Sequence, residues 1–505
     1  MGALPQLDRS QLDAIRRDRR AVVVAPDDAL LDLPVRAVQF GTGGFLRGFV
    51  DDFLHRANEA GLFGGRIVAI SSTGSSRDRA LREQGGLYTL AVEGIERGQP
   101  VQECRVIASV SHALSATHEW SDVLALARAP LLQYVFSNTT EVGIALDPSD
   151  ALDAAPPRSF PAKLTRFLIE RAREFECDPS MGLIVVPCEL IENNGDRLRA
   201  LVQTLAGRWT VSADVTGWIE RSVVFCNTLV DRIVPGTPRG DDAMRLAGML
   251  GYDDALLTTC EPYRLFAIQG DDALRDRMRW TAVDDAILIR PDIGPYRERK
   301  VRLLNGAHSA LVSPALMMGC ETVRDAVTHP ALGRYIRQAL FEEIVPTLDA
   351  DGSAAFAEAV LDRFRNPFIR HALSDITLQA TMKMRVRVVP SIVAYAERTG
   401  QAPQSLAFGF ASFLLFMRGE IRAARLTSGT PLPADDGAEQ LAMAWREAEG
   451  EADRLVRATC ADEALWGVRL DAIPGFTIAV TDHLERALAG TAAALEHHLA
   501  AVAAA

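Results

Sequence analysis

Three polar residues of the chain are spaced as if they lie on one face of a helix. Lys300, Asn305 and His308 are five and eight positions apart, so at about 100° per residue they share an arc of roughly 140° in an α-helix. An ammonium, a carboxamide and an imidazole on one face could polarise and protonate a carbonyl group. Leu303 and Leu304 lie in the same turn, which predicts that the helix packs against a hydrophobic core. The alternative is an ordinary helix with a solvated lysine and a core histidine, and these residues alone leave both interpretations open.

Two further polar groups follow predicted core strands. A strand at 181–187 is followed by an Asn-Gly pair at Asn194, which indicates a turn first and a catalytic amide only as a second interpretation. A strand at 223–230 leads into Asp231 and a neighbouring arginine, a pair that would normally be structural when buried.

A glycine-rich turn between a strand and a helix could hold a dinucleotide. Residues 35–40 predict a buried strand, and an apolar-periodic helix is predicted around Phe49. Between them Gly41 permits a tight turn, and Gly43 lets the backbone approach a pyrophosphate. Leu46 stands where the usual fingerprint has its third glycine, so a plain turn into a helix is an equal alternative.

The second predicted strand, at 66–70, leaves the choice of cofactor open. An acid at its end would bind a ribose 2′-hydroxyl and favour NAD, but the segment 71–77 contains hydroxyl residues and Arg77, with no acid before Asp78. Hydroxyl groups and an arginine could suit a 2′-phosphate, so NADP stays open. A solvated loop is the other interpretation.

The remaining pattern predicts an α/β fold followed by helices. Further strands are predicted at 86–92, 106–110 and 132–136. A polar turn begins at Ser137, at the end of the last of these, where open α/β sheets bind ligands. Helical periodicity dominates from residue 291 onward. We therefore expect a Rossmann-like dinucleotide-binding domain at 1–290 and a mostly α-helical substrate and catalytic domain at 291–505.

Composition narrows the class of protein. The 505 residues carry a net charge of −12 and have a sequence pI near 5.4, which argues against nucleic acid or an anionic membrane as partner. The seven cysteines include no C-x-x-C pair, so we expect no zinc site or disulfide framework and a reducing cytoplasm. No apolar run reaches the roughly 18 residues of a membrane span. Residues 407–417 predict a buried helix instead, and the N-terminus makes a poor signal peptide.

Several longer runs resemble one enzyme family. The run 223–235 fits a family signature throughout, the segment from Lys300 to His308 matches its catalytic helix, and the turn at 41–47 matches its variant glycine turn. Further matching runs lie at 136–141, 187–191, 194–196 and 363–369. On these motifs the chain resembles the polyol-specific long-chain dehydrogenases, the mannitol dehydrogenase family. The likeness extends from about residue 35 to beyond residue 475.

The resemblance implies roles for individual residues. Lys300 resembles the catalytic acid and base of the family. Asn194 and Asn305 resemble the amides that hold the reacting oxygen, and His308 resembles a histidine that orients the substrate. The implied cofactor-binding residues lie in the glycine turn and at the ends of the neighbouring strands: Phe40, Gly41, Thr42, Gly43, Gly44, Phe45, Ser72, Asn138 and Thr139.

For the substrate, the resemblance implies contacts to Asp231 and Lys383. Asp375 stands about where mannitol-oxidising relatives carry an arginine, which argues against mannitol as the substrate. A sugar acid also needs cations for its carboxylate, although a solvated basic helix face is the alternative interpretation. The candidate cations are Lys383, Arg385, Arg387 and Arg370.

The chemistry of the family implies hydride transfer to a ketone without a metal. The runs resemble most closely those of the keto-hexuronate-reducing branch, so we expect NAD(H)-dependent interconversion of tagaturonate and altronate with Lys300 as acid and base. Fructuronate reduction or mannitol 2-dehydrogenation is the alternative within the family, and a dinucleotide-binding sensor without turnover is the alternative outside it. The expected partner is a small sugar acid, with no nucleic acid or membrane, and the protein is expected to be a monomer or a weak homo-oligomer.

Overall fold

The chain folds into two compact units. The computed structural model describes residues 4–18, 23–72, 76–139, 143–425 and 433–504. The first unit comprises residues 1–93 and 100–293, and the second comprises residues 94–99 and 294–505. The piece 94–99 is the tip of a β-hairpin whose two strands otherwise belong to the first unit. Dinucleotide binding by the first unit and catalysis by the second stay predictions.

The first unit alternates strands and helices. Its strands are β1 (Val23–Val24), β2 (Val35–Phe40), β3 (Arg66–Ser71), β4 (Tyr88–Glu96), β5 (Gln99–Ile107), β6 (Val110–Ser115), β7 (Tyr134–Ser137), β8 (Ile184–Pro187), β9 (Val224–Phe225), β10 (Thr228–Asp231), β11 (Thr258–Cys260), β12 (Leu265–Gln269) and β13 (Ile287–Arg290). Its helices are α1 (Leu12–Arg17), α2 (Gly44–Arg47), α3 (Val50–Glu59), α4 (Ser76–Glu83), α5 (Trp120–Ala127), α6 (Phe160–Glu174), α7 (Asn194–Arg208), α8 (Ala213–Ser222), α9 (Gly240–Leu250) and α10 (Asp272–Arg277).

A six-stranded parallel sheet organises this unit, with the strand order β6-β3-β2-β7-β8-β9. The order reverses between β2 and β7, the point at which doubly wound sheets bind dinucleotides. Both faces of the sheet are covered, because Val38 packs into one apolar cluster and its neighbour Ala37 into another. Burial on both faces explains why the strands appear in the sequence as continuous apolar runs. The predicted Rossmann-type fold is confirmed.

The strand predicted at 106–110 is wrong, because this apolar run is divided between two strands of different sheets. Val106 lies near the end of β5, in a four-stranded sheet with the order β1-β5-β4-β11, while Val110 begins β6 in the six-stranded sheet. Ser109 holds the turn between them by donating from Oγ to the Asp51 carbonyl at 2.8 Å. An apolar run shows that a segment is buried, but it does not reveal which sheet the segment joins.

The second unit is helical. Its α-helices are α11 (Gly294–Arg299), α12 (Gly306–Met317), α13 (Val323–Thr328), α14 (Pro330–Gln338), α15 (Ser353–Arg365), α16 (Leu373–Ile376), α17 (Ala380–Lys383), α18 (Val389–Thr399), α19 (Gln404–Phe416), α20 (Gly419–Arg425), α21 (Ala438–Glu447), α22 (Ala452–Cys460), α23 (Glu463–Trp466), α24 (Phe476–Ala489) and α25 (Thr491–Ala504). Helix α19 is the buried helix predicted from its apolar run, and it packs against α12, α24 and α25. None of the described helices combines the length and apolar content that crossing a bilayer requires.

Three segments of the second unit are π-helical: Lys300–Asn305, Ala339–Ile344 and Met384–Val388. The first joins α11 to α12 and contacts both of the others. The sequence predicts an ordinary α-helix here, which is wrong over this turn. A π turn closes with i→i+5 hydrogen bonds, so residues five apart come onto nearly the same face. The π winding therefore brings Lys300 and Asn305 closer around the axis than α-helical geometry allows.

Candidate active site

The glycine turn lies at the point where the strand order of the large sheet reverses. Gly41 has a φ of +137°, and its N–H donates to the Ile70 carbonyl at 2.8 Å. A Cβ at Gly41 would lie 3.0 Å from Leu46 Cδ1 and 3.1 Å from the Asn138 carbonyl oxygen, so a side chain is excluded. A Cβ at Gly43 would meet no described atom within 4 Å, so this side of the turn is open to a ligand.

Leu46 replaces the third glycine of the usual fingerprint because its side chain fills the turn. It is buried against Gly41. The close packing that the third glycine normally permits is provided by Gly48 instead, where a Cβ would come within 2.8 Å of Val234 Cγ1. Phe45, also predicted to contact the cofactor, stacks on Phe49 at a centroid distance of 5.0 Å.

A buried polar network fixes the backbone of the glycine turn from behind. Arg47 donates from Nη1 to the Thr42 carbonyl at 2.6 Å, and Gln39 donates to the Gly41 carbonyl at 3.2 Å. The Tyr88 hydroxyl bonds the Arg47 carbonyl at 2.8 Å and Asp51 Oδ2 at 3.1 Å. Burial raises the pKa of Asp51 to about 7. The sequence patterns did not reveal this network, for which the only local signal is the i,i+4 spacing of Arg47 and Asp51.

A buried glutamate ties down the end of β7. Glu189 accepts hydrogen bonds from the Thr139 N–H at 2.9 Å and from the Ser137 hydroxyl at 3.1 Å, and burial raises its pKa. Asn138 donates from Nδ2 to the Cys188 carbonyl at 2.7 Å. The predicted cofactor residues Asn138 and Thr139 are thus anchored to the segment after β8. Glu189 lies in one of the family-like runs of the sequence, but no sequence pattern indicated its role.

The end of β3 gives no simple acid for a ribose. Asp78 is fully buried and accepts a hydrogen bond from the Ser71 hydroxyl. Ser72 is exposed, and its carbonyl accepts from Thr117 Oγ1 at 2.8 Å. Residues 73–75 of the predicted hydroxyl-rich segment lie outside the described residues.

Asn194 is buried at the start of α7 and is fully hydrogen-bonded. Its Nδ2 donates to the carbonyls of Pro187 and Glu189, each at 3.1 Å, and lies 2.9 Å from Thr228 Oγ1. Its Oδ1 accepts from the Gly195 and Thr228 N–H groups, both at 2.9 Å. The amide therefore has no spare N–H, so this geometry does not support the predicted direct contact with a reacting oxygen. It links the segment after β8 to β10.

Asp231 is buried at the end of β10, and the next residue pairs elsewhere. Arg232 donates to Asp52 at 2.9 Å and to the Gly48 carbonyl at 2.7 Å. Burial alone would raise the pKa of Asp52, but neighbouring guanidinium groups, Arg232 foremost, lower it to about 2. The arginine is structural, as expected, and it pairs with an acid on α3.

In the second unit, Lys300 and Asn305 stand at the two ends of one π turn. Both side chains are half-buried. The carboxamide of Asn305 makes no hydrogen bond to any described residue, unlike that of Asn194. Leu303 and Leu304 are buried, as predicted, and anchor the turn. The turn thus offers an amine and an amide from one face.

His308 lies one turn further along, in α12. Its ring packs against Phe364 at a centroid distance of 4.2 Å and an interplanar angle of 30°, and it meets His371 edge-on at 4.9 Å. It is only 9% exposed, and its Nε2 has no hydrogen-bond partner among the described residues. Burial first, then electrostatic interactions with neighbours including His371 and Arg363, lowers its pKa well below the usual value. His308 is therefore neutral at neutral pH.

Lys383 ends α17, beside the third π segment. It donates from Nζ to the Ile376 carbonyl at 2.9 Å. Burial and then the charge of Arg387 lower its pKa. Asp375, at the position where mannitol-oxidising relatives are expected to carry arginine, is exposed on α16.

Comparison with known proteins places this geometry in one family. Residues 35–282 match the mannitol dehydrogenase Rossmann domain, and residues 292–488 match the mannitol dehydrogenase C-terminal domain. The chain belongs to the mannitol dehydrogenase family. It is an oxidoreductase that acts on CH–OH groups.

Curated relatives cover nearly the whole chain. Altronate oxidoreductase of Bacillus subtilis (strain 168) is 38% identical over 458 residues, covering 90% of this chain and 93% of the relative. Altronate oxidoreductase of Yersinia pestis is 40% identical over 464 residues, covering 90% and 95%.

Two solved structures share the mannitol dehydrogenase fold. Pseudomonas fluorescens mannitol 2-dehydrogenase, in a ternary complex with NAD and D-mannitol, is 23% identical with a TM-score of 0.67, and the match covers 98% of this chain and 99% of that one. Substrate-free D-sorbitol dehydrogenase is 21% identical with a TM-score of 0.77 and coverages of 97% and 100%.

Proposed function

We propose that this enzyme interconverts tagaturonate, a keto-hexuronate, and altronate with NAD(H). The observation that carries the chemistry is the π turn, which presents the amine of Lys300 from the same face as the carboxamide of Asn305, a carboxamide that bonds no described residue. The relatives named altronate oxidoreductase, at 38–40% identity over 90% of the chain, support the substrate.

The residues around the glycine turn fit a dinucleotide. Gly41 has a backbone conformation that excludes side chains, and Gly43 is open on the side where a Cβ would lie. Phe40, Thr42, Gly44 and Phe45 complete the turn, and Ser72, Asn138 and Thr139 lie at the ends of the flanking strands. When bound, the nicotinamide supplies the hydride in reduction and accepts it in oxidation. We propose NAD rather than NADP, in line with the NAD-bound Pseudomonas relative.

Lys300 and Asn305 perform the acid–base part of the reaction. During reduction, negative charge develops on the keto oxygen of the substrate. Asn305 donates a hydrogen bond to that oxygen and stabilises the charge, while Lys300 donates the proton that completes the hydroxyl group. In the oxidative direction Lys300, once deprotonated, removes the same proton. His308 orients the substrate through its buried Nε2.

Asn194 takes a positioning role in this proposal. Its amide fixes Thr228 against the carbonyls of Pro187 and Glu189, and Glu189 in turn anchors Thr139. Through these bonds Asn194 sets the shape of the sheet edge to which we assign the cofactor. Asp231, at the end of β10, stays the proposed site-lining acid.

The test is a panel of substrates, and the absorbance of the reduced nicotinamide is the readout. Tagaturonate, fructuronate and fructose are each assayed with NADH and with NADPH. We expect tagaturonate with NADH to give the highest kcat/KM. Faster fructuronate or fructose turnover would move the enzyme to another activity of the family, and faster turnover with NADPH would reverse the cofactor assignment. NADH binding without oxidation by any of the three would contradict the proposed reaction.

The location and assembly of the protein stay predictions. All seven cysteines are free thiols in the structure, which supports a reducing cytoplasm. A monomer or weak homo-oligomer is expected, and light scattering of the purified protein over a range of concentrations tests this.

A further inference from the structure

A cluster of cations surrounds His308 in the second unit. We define the cationic cluster as Lys383, Arg387 and Arg363. His371 also lies beside His308, but burial lowers its pKa, so it is not counted as a cation. The third π segment, which carries Arg387, packs against both the first π segment and α12. The approach is close, since a Cβ on Gly306 would lie 3.0 Å from the Arg387 carbonyl oxygen. Arg387 is therefore carried by the element next to the one that carries the proposed acid–base pair.

Other arginines of the second unit already have acidic partners. Arg385 donates to Asp436 at 2.7 Å and to the Leu465 carbonyl at 3.1 Å. Arg370 is exposed and lies 3.5 Å from Glu321. Arg302 bonds Glu298 at 2.8 Å. None of these three guanidinium groups is in need of a counter-charge.

Arg387 differs from them. Its side chain is half-buried, and it makes no hydrogen bond or ion pair with any described residue. Burial lowers its pKa, and no carboxylate offsets that effect. The acid that faces its neighbour Lys383 is Asp435, whose carboxylate already accepts from the N–H and hydroxyl of Thr381. A partly desolvated guanidinium without a counter-charge is unfavourable unless an anion pairs with it.

The neighbouring His308 gives an independent sign of a ligand. Its imidazole is nine-tenths buried, and Nε2 lacks a partner among the described residues. A buried polar atom normally has a hydrogen-bond partner. A polyhydroxylated substrate supplies hydroxyl groups for Nε2, and a substrate that also carries a carboxylate supplies the anion for Arg387.

We propose that Arg387 binds the substrate carboxylate and thereby selects sugar acids over neutral keto-sugars. This inference rests on the proposed function. A keto-hexuronate carries its ketone and its carboxylate near opposite ends of a six-carbon chain. The ketone meets Lys300 and Asn305, a hydroxyl group bonds His308, and the carboxylate receives the planar fork of Arg387 through two parallel N–H bonds. A neutral ketose leaves this guanidinium half-buried and unpaired.

The experiment compares Arg387→Gln with Arg385→Gln, a matched change two residues away at an arginine that is already paired. For each variant and the wild type, kcat and KM are measured with NADH for tagaturonate and for fructose. We expect Arg387→Gln to raise the KM for tagaturonate by about 10- to 100-fold, the value of a hydrogen-bonded charge, with a smaller effect on kcat. Fructose turnover is expected to stay the same or rise. Arg385→Gln is expected to keep the preference of the wild type.

Two further measurements separate a loss of folding from a loss of the carboxylate contact. NADH binding, measured by fluorescence, reports whether Arg387→Gln is folded. Arg387→Lys is expected to give an intermediate KM, because lysine keeps the positive charge but lacks the planar guanidinium that can form two parallel hydrogen bonds. If both Arg387 variants bind NADH and keep the wild-type KM for tagaturonate, or lose tagaturonate and fructose activity equally, the inference is wrong while the proposed function stands. If the wild type reduces no keto-hexuronate, the proposed function fails and the inference fails with it.

Discussion

Gly306 lies directly against the backbone of Arg387, so that a methyl group on its Cα would come within 3.0 Å of the Arg387 carbonyl oxygen. The residue after the proposed oxyanion donor thus touches the segment that carries the proposed carboxylate ligand. Because this is a contact between the backbones of two helical segments, a larger residue at position 306 must push the two segments apart.

Gly306→Ala is therefore expected to lower activity more than stability. Alanine favours a helix over glycine by about 0.5–1 kcal/mol, which offsets part of the clash, but the displaced segments misplace Asn305 relative to Arg387. We expect kcat/KM for tagaturonate to fall about tenfold. The control is Gly248→Ala in α9, where a Cβ meets no described atom within 4 Å. Its activity should not change, and an equal loss there would remove the assigned cause.

Lys300→Ala is expected to abolish turnover while leaving NADH binding intact. The proton donor and the positive charge beside the keto oxygen are both lost, so we expect kcat to fall by several orders of magnitude. Steady-state kinetics and NADH titration by fluorescence measure the two properties separately. Turnover near that of the wild type would contradict the role of Lys300.

The two asparagines are expected to respond oppositely to the same substitution. Asn305→Ala removes a carboxamide with no hydrogen bond to any described residue, so kcat should fall about 10²- to 10³-fold with little change in the melting temperature. Asn194→Ala leaves buried carbonyl and N–H groups of Pro187, Glu189 and Thr228 unpaired, so the free energy of unfolding should fall by about 2–4 kcal/mol. Differential scanning calorimetry beside kinetics tests both. A stable but inactive Asn194→Ala would instead restore the direct oxyanion role.

Stability is expected to depend on pH through Asp51. Burial raises its pKa from 3.8 to about 7, so the folded state binds a proton that the unfolded chain releases. The stabilising effect is full below about pH 4 and is lost as the pH rises through 7, with a slope of up to about 1.4 kcal/mol per pH unit. Asp51→Asn keeps the acceptor for Tyr88 but cannot ionise. Its melting temperature should vary less than that of the wild type between pH 5 and pH 8, and identical profiles would exclude Asp51 as the source.

Features set by local sequence could be predicted, and those set by tertiary contacts could not. The strand at 35–40, the glycine turn and the buried helix around 407–417 follow from apolar periodicity and from glycine positions, and all three are present. The winding of the turn from Lys300 to Asn305 could not be predicted, because a single π turn leaves the apolar periodicity almost unchanged.

Hydrogen-bond partners that are distant along the chain also could not be predicted from the sequence. From the sequence alone, nothing shows that the amide of Asn194 is already hydrogen-bonded. Its partner Thr228 lies 34 positions away along the chain. Arg232 likewise pairs with Asp52, 180 positions away. Arg385 and Arg387 look equivalent in the sequence, and only the position of Asp436 shows that the first is already paired.

The tip of the β4–β5 hairpin, residues 94–99, belongs to the second unit although most of both strands belongs to the first. There the Gly98 N–H donates to Asp362 at 2.9 Å, on the helix that also carries Arg363 and Phe364. Severing the polypeptide between residues 293 and 294 would therefore not yield two independent modules. The fragment ahead of the cut would keep six residues that fold with the missing partner, and the fragment after it would lack the Gly98 N–H that donates to Asp362.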